Sequence, residues 1–439
     1  MRYIQTHKGK AILVATVALS VFALLTQAIA QDVLASITSM PSAAASEKTD
    51  LRLAIDKVRL DIDTGNIADA DETMKQLSQS LPDDPEVLAM QSDLNLVQDN
   101  RGMAYANASA PGVPNADERQ TDALLSPQGP SISGGYDMRK TNEAIEQMYG
   151  VEAHTEIDQG LALTLKLQND HVNTRETFLR SNGSLQSFYG NRQQGSATLD
   201  KMFDDGQELL GTIYALQNKA GVGLEYSLWD SWGATSIIAD FNKPNSDYVE
   251  MVVEHGVKHD VTLERKFNVD QFLQAKATGG FNSYALDGVT DAAEAAAWTA
   301  DIDYVRPVNL FDGELTEGKL GDLTLGLHYN GLAEYFSHIN HRIDLTGSVF
   351  TPLRANSYEV HAFTGSVSKN ILPDLTAEIS GGEGFNRIQG NRGPIYAAVM
   401  KYAITDGVAL DVHASRNLVG GQNNSEKEDT LGMGVRWNY

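Results

Sequence analysis

The chain ends Asp429-Thr-Leu-Gly-Met-Gly-Val-Arg-Trp-Asn-Tyr439, and this stretch decides the fold class. Successive side chains of a strand point to opposite sides. Leu431, Met433, Val435, Trp437 and Tyr439 therefore share one face, and Thr430, Gly432, Gly434, Arg436 and Asn438 the other. The first face is continuously apolar and finishes in two aromatics. The second is small, polar or charged. A transmembrane barrel requires that division, with lipid on one side, a wet lumen on the other and aromatics at the interface. A water-soluble β-sandwich also builds strands with one apolar face. It rarely puts its strongest one at a carboxy terminus with an aromatic as the last residue. The stretch predicts the closing strand of an antiparallel transmembrane barrel.

Period-two runs recur upstream. Leu161, Leu163, Leu165 and Leu167 oppose Ala162, Thr164, Lys166 and Gln168. Val249, Met251 and Val253 oppose Glu250, Val252 and Glu254, and Trp298, Ala300, Ile302 and Tyr304 oppose Thr299, Asp301 and Asp303. The same alternation sets Leu323, Leu325 and Leu327 against Thr324, Gly326 and His328. It returns at Leu375, Ala377 and Ile379 around Glu378, and at Val408, Leu410 and Val412 around Asp411. Gly, Asn and Asp clusters separate the runs, as turns require. A barrel over 145–439 has room for about 16 strands at roughly 18–20 residues per strand and turn. A two-layer sandwich shares the local pattern, and length alone separates the two only weakly.

The amino-terminal part reads differently. Arg2, His7, Lys8 and Lys10 precede an apolar run from Ala11 to Leu25, then Ala28-Ile-Ala30. That order predicts a secretory signal over 1–30. Residues 46–106 carry helical spacing, including Ala70, Met74, Leu77 and the closing Pro82 that resemble the second half of a tetratricopeptide repeat. Residues 107–134 contain Pro111, Pro114, Pro127 and Pro130 and predict an extended linker. Asp61, Asp63, Asp69 and Glu72 do not make a calcium loop, because Gly65 precedes Asn66 where the motif needs the reverse order.

Composition narrows the function. The 439 residues include no cysteine, so neither disulfides nor thiolate metal sites hold the fold. Net charge is −24, which argues against a nucleic-acid partner. Residues 133–439 hold 41 acids and 24 bases, a balance of −17. Glu250, Glu254, Asp301, Asp303, Glu378 and Asp411 fall on the polar faces of their expected strands, which makes them candidate pore-lining acids. A low-dielectric tube lined with acids concentrates cations. No nucleophile elbow, P-loop or H-E-x-x-H occurs, so no enzyme activity and no cofactor are expected. His338, His341 and Asp344 have helical metal spacing, but on a strand the two histidines fall on opposite faces.

The segment Gly221-Val-Gly-Leu-Glu-Tyr226, with Asn242-Lys-Pro-Asn-Ser-Asp-Tyr-Val-Glu-Met-Val-Val-Glu254, resembles the barrel of PelB-like export porins for the Pel exopolysaccharide. Asn282-Ser-Tyr-Ala-Leu-Asp-Gly-Val289 and Asp291-Ala-Ala-Glu-Ala-Ala-Ala297 extend the likeness. It implies a periplasmic tetratricopeptide scaffold joined to a sixteen-stranded outer-membrane barrel that passes a secreted polysaccharide, such as a cationic, partly deacetylated amino-sugar polymer. It also implies partners: outer-membrane lipid, the barrel assembly machinery reading Trp437 and Tyr439, and a periplasmic synthase or deacetylase. The long repeat array of the family is missing here. Exporters of poly-N-acetylglucosamine and cellulose share the layout, so the polymer stays open. A general porin, an adhesin-like barrel and a barrel enzyme are the alternatives.

Overall fold

The computed structural model describes residues 47–63, 66–126, 129–175, 177–269, 272–308, 323–344, 346–405, 407–419 and 426–439. The expected signal at 1–30 lies outside them. The chain divides into two compact units, Met1–Pro82 and Asp83–Tyr439. In the first, α1 (Glu47–Asp63) and α2 (Ile67–Ser80) form a helical pair. Ile55 and Val58 of α1 and Ile67, Ala70 and Met74 of α2 are buried, and Lys57 Nζ donates to Thr73 Oγ1 at 3.1 Å.

The second unit opens with three helices, α3 (Pro85–Val97), α4 (Arg101–Ala108) and α5 (Ala116–Leu125). Asp84 caps α3 by accepting from the backbone N–H of Glu86 at 2.9 Å and of Val87 at 3.3 Å, and Pro85 sits where no N–H is needed. The expected linker at 107–134 is therefore corrected. It contains α5, whose Ala123, Leu124 and Leu125 are buried, and from Ser131 it is already barrel. Four prolines in a short stretch suggested a tether, but Pro111 and Pro114 only bracket the turn ahead of α5.

Strands follow in the order β1 (Ser131–Lys140), β2 (Ala144–Asp158), β3 (Leu161–Thr174), β4 (Phe178–Leu179), β5 (Leu185–Gln186), β6 (Tyr189–Met202), β7 (Gln207–Leu216), β8 (Lys219–Asp230) and β9 (Gly233–Pro244). After the short helix α6 (Val249–Val253) come β10 (Val257–Asn268), β11 (Leu273–Leu286), β12 (Val289–Val308) and β13 (Leu323–Ile339). The chain closes with β14 (Arg342–Ile343), β15 (Val349–Phe350), β16 (Tyr358–Leu372), β17 (Leu375–Asn386), β18 (Asn391–Thr405), β19 (Val408–Val419) and β20 (Glu426–Asn438). Two small ribbons, β4–β5 and β14–β15, stand apart. The other sixteen strands form one closed antiparallel barrel.

Closure is made by β1 on β20, from Ser131 opposite Asn438 to Lys140 opposite Asp429. A sandwich keeps open edges, so this seam excludes it. The apolar face of the last strand points outward: Leu431, Met433, Val435 and Trp437 are all exposed. So are Leu167 at 70% and Leu327 at 65%, in line with an outer wall that is apolar around the ring. Such a surface in water would be an aggregation hazard, whereas a bilayer covers it. One expected strand is wrong. Val249–Val253 is the helix α6, so Glu250 and Glu254 are not on a barrel wall. All five residues of α6 are buried, which leaves no polar face to betray helical spacing.

Candidate conduit and its closures

The barrel has a terminal mouth, where Ser131 and Asn438 lie, and an opposite loop mouth. Each receives an insert from the same unit.

At the terminal mouth, α3–α5 pack on lumen-facing residues along the arc from β2 to β10. Ala104, Tyr105, Leu124 and Leu125 form one buried cluster with Ala162 of β3 and Met202 of β6. Arg101 pairs with two buried acids, Asp200 at 3.1 Å and Glu208. Trp229 donates its indole N–H to Glu208 at 3.0 Å. The indole also lies against Gly102, where a Cβ would meet Trp229 Cγ at 2.2 Å. Turns add hydrogen bonds, including Asn100 to the Asp230 carbonyl at 2.8 Å and Gln159 to Gln120 at 2.8 Å. The helices are thus seated in the mouth by ion pairs, hydrogen bonds and close glycine approaches.

At the loop mouth, residues 245–256 turn inward and α6 crosses the lumen. Val249, Val252 and Val253 pack on Ala144 of the β2 side and Val172 of β3. Tyr248 and Met251 pack the other way, on Tyr284, Ala293 and Ala295 of β11 and β12. The run of alanines at 292–297 has a physical use here, because small side chains on the wall leave room for a helix inside it.

Four polar clamps hold this segment. Glu250 is paired with Arg354, which also donates to Glu143 at 2.8 Å. Glu254 is paired with Arg180 and accepts from Ser181 Oγ at 3.1 Å. The Tyr248 hydroxyl donates to the buried Glu334 at 2.9 Å. At the far end Asp287 meets Lys219 at 2.7 Å and His255 Nδ1 at 2.9 Å, with Lys219 also reaching the His255 carbonyl at 2.7 Å. Burial pushes the Glu250 carboxyl above its usual range, although the Arg354 guanidinium beside it pulls the other way. Glu250 is a carboxylate kept in a dry site by one cation. None of the four clamps is covalent.

Sequence spacing groups six acids, and the structure splits them. Glu250 and Glu254 belong to the inward segment and are spent on arginines. Asp301, Asp303, Glu378 and Asp411 lie on strands, with side chains opposed to the outward apolar set. Asn330 donates to Asp301, and His328 Nδ1 lies 2.7 Å from Asp303. His413 Nδ1 is 3.6 Å from Asp411 while its Nε2 is 2.9 Å from Asp137. Other lumen acids carry lysine partners: Asp240 with Lys243 at 2.6 Å, Asp260 with Lys258 at 2.9 Å and Glu264 with Lys276 at 2.9 Å. The lumen is acidic in count and partly neutralised in geometry. Asp240–Lys243, Asp260–Lys258 and Asp411–His413 lie two or three residues apart on one strand, whereas Asp303–His328, Asp137–His413 and Glu264–Lys276 join different strands and are invisible to a strand-by-strand reading.

Trp437 and Tyr439 lie at the seam with ring centroids 5.7 Å apart, and the Tyr439 backbone N–H donates to the Pro130 carbonyl at 3.3 Å. Among the described residues no three His, Asp or Glu side chains are grouped to hold a metal ion. His338 lies on β13 and His341 beyond its end.

No family model matches the chain, and no curated protein matches it. Among solved structures it is similar to a bacterial polysaccharide outer membrane secretin, at 5% identity over 71% of this chain and 99% of the other, with a TM-score of 0.49. It is also similar to Pseudomonas aeruginosa OccK11, at 10% identity over 71% of this chain and 96% of that one, TM-score 0.36. A NanC porin aligns at 11% identity over 70% of this chain and 100% of its own, TM-score 0.27. Identities this low bear on the fold alone, and scores below 0.5 assign nothing further to this chain.

Proposed function

We propose that the chain is an outer-membrane conduit that exports an exopolysaccharide, with its amino-terminal helices in the periplasm. The observation that carries the reading is a closed sixteen-strand tube filled from both mouths by non-covalently held inserts. A tube that admits small solutes at all times has no use for two inserts, whereas a wide path for an intermittent polymer needs closing between uses. Both ends of the barrel, Ser131 and Asn438, lie at one mouth, which suits the periplasmic side, and the inward loops of the other mouth suit the cell surface.

The cargo is a cationic polymer, a partly deacetylated amino sugar of the Pel type. Asp301, Asp303, Glu378 and Asp411 offer it weak sites in series, each worth about 0.2–1 kcal/mol as for exposed pairs. Conduction needs sites that let a chain enter without trapping it. The chain performs no reaction in this reading and takes no cofactor. A periplasmic synthase or deacetylase delivers the polymer, α1 and α2 act as a shortened tetratricopeptide-like platform for it, and Trp437 with Tyr439 present the finished barrel to the assembly machinery.

The test is polymer secretion from cells lacking the chain, complemented by wild type or by D301N/D303N. Loss of secreted amino-sugar polymer on deletion, and reduced secretion with the amides, is expected. Unchanged secretion on deletion would overturn the reading.

A further inference from the structure

Three arginines stand on the outer wall at the loop mouth, all on one arc. Arg387 lies in the β17–β18 turn, Arg392 on β18 and Arg416 on β19. Each is held by the same fork. Arg387 places Nε 2.5 Å from Glu359 and adds Nη2 to its other oxygen. Arg392 grips Glu383 with Nη2 at 2.7 Å and with Nε. Arg416 grips Asp429 with Nε at 2.5 Å and Nη2 at 2.8 Å. A side-on fork uses Nε and Nη2 and leaves Nη1, with two N–H donors, outside the pair; Arg387 is also hydrogen-bonded to Tyr335 and Arg416 to Tyr396. Arg387 and Arg392 keep 62% and 73% of their side chains exposed while so held.

Beside these forks is an aromatic surface. His361 stacks on Phe385 with centroids 5.1 Å apart, and its Nδ1 lies 2.8 Å from the Tyr329 hydroxyl. Phe363, Glu383, Phe385 and Arg392 line a cleft of about 410 Å³ on the outer wall. Arg416 lies over the Tyr396 ring at 5.5 Å. The arc beyond the seam differs. Outward positions of β3 and β6 toward the same mouth are Asn169, His171, Asn191 and Gln193, with no arginine.

We propose that this arc seats the phosphorylated sugar headgroup of a membrane glycolipid, its phosphates on the Nη1 edges and its sugar and upper acyl carbons on the aromatic cleft. Guanidinium matches phosphate by directional donors, and aromatic faces suit the wall at headgroup depth. The carboxylates cancel the net charge of the arc. Recognition therefore depends on the fixed geometry of the forks rather than on a general positive field, and it survives moderate salt. The inference rests on the barrel lying in a membrane whose outer leaflet carries such a lipid.

The experiment uses the full chain in neutral detergent, with native mass spectrometry of two probes. One is a bis-phosphorylated acylated glucosamine disaccharide and the other is the same lipid without phosphates. Wild type should prefer the phosphorylated lipid by about tenfold or more, roughly 1.4 kcal/mol. R387K/R392K/R416K keeps the charges but not the forks and should lose that preference. R392K alone should weaken it where the triple variant does not fold. Equal binding of both probes by wild type, or an undiminished preference in the lysine variants, would overturn the proposal. Membrane location is read separately by cell fractionation, so failure there is a distinct result.

Discussion

Gly102 shows how much can hang on one missing side chain. It lies in a helix, where glycine costs roughly 1 kcal/mol relative to alanine. The indole of Trp229 occupies the space its Cβ would need. Gly102→Ala should therefore gain helix propensity yet unseat α4, at a net cost of about 1–3 kcal/mol for overpacking. Faster hydrogen exchange across α3–α5, with the barrel strands still protected, is the expected result. Glu250 is a second such residue. Replacing its carboxylate by an amide removes a charge-assisted hydrogen bond to Arg354, worth about 1–3 kcal/mol. E250Q leaves Arg354 with Glu143 alone, so the inward segment should become open to protease while the barrel keeps its heat-modified gel mobility. A wild-type cleavage pattern would show that this pair does not hold the segment.

Among elements, the strands were legible and the inserts were not. Leu323, Leu325 and Leu327 alternate with polar residues over a strand long enough for the period to count. Arginine at Leu167 or Val412, both outward and near the middle of their strands, should cost about 2–4 kcal/mol at the bilayer midplane. Arginine at Thr324 or His328 faces the wet lumen and should be tolerated, and heat-modified mobility of the four variants separates the two outcomes. Over the five residues of α6 the same alternation of valine and glutamate fits a strand equally well, and only tertiary burial decides. Its clamps were beyond reach for a related reason: Arg180 and Arg354 lie some way from Glu254 and Glu250 along the chain and meet them only once the barrel has closed. The Asp287 clamp carries a pH dependence. Burial raises this carboxyl, but hydrogen bonds and charge from Lys219 and His255 outweigh it and hold it below its ordinary 3.8. A depressed carboxyl contributes its stability above the ordinary value and loses it as pH falls through the lower one. Open events in bilayer recordings should become more frequent as pH falls below about 4, and D287N should abolish that change.

At the level of the molecule, the period-two pattern foretold a barrel, and the closing strand named its seam. What it could not foretell is that the tube is occupied. Prolines made 107–134 look like a tether, although its last helix is folded into the terminal mouth. The acids read as a bare negative lining, although lysines, arginines and histidines on the same and nearby strands answer many of them. The central claim is that an acid-lined conduit is closed at its loop mouth by α6 and at its terminal mouth by α3–α5. Its direct test is single-channel recording of the full chain in a planar bilayer, beside a variant in which a short Gly-Ser linker replaces 247–255 and residues 83–126 are removed. Wild type should be mostly closed, and the variant should conduct steadily with cation selectivity that falls when Asp301, Asp303, Glu378 and Asp411 become amides. A variant that stays closed, or one that prefers anions, would contradict the account.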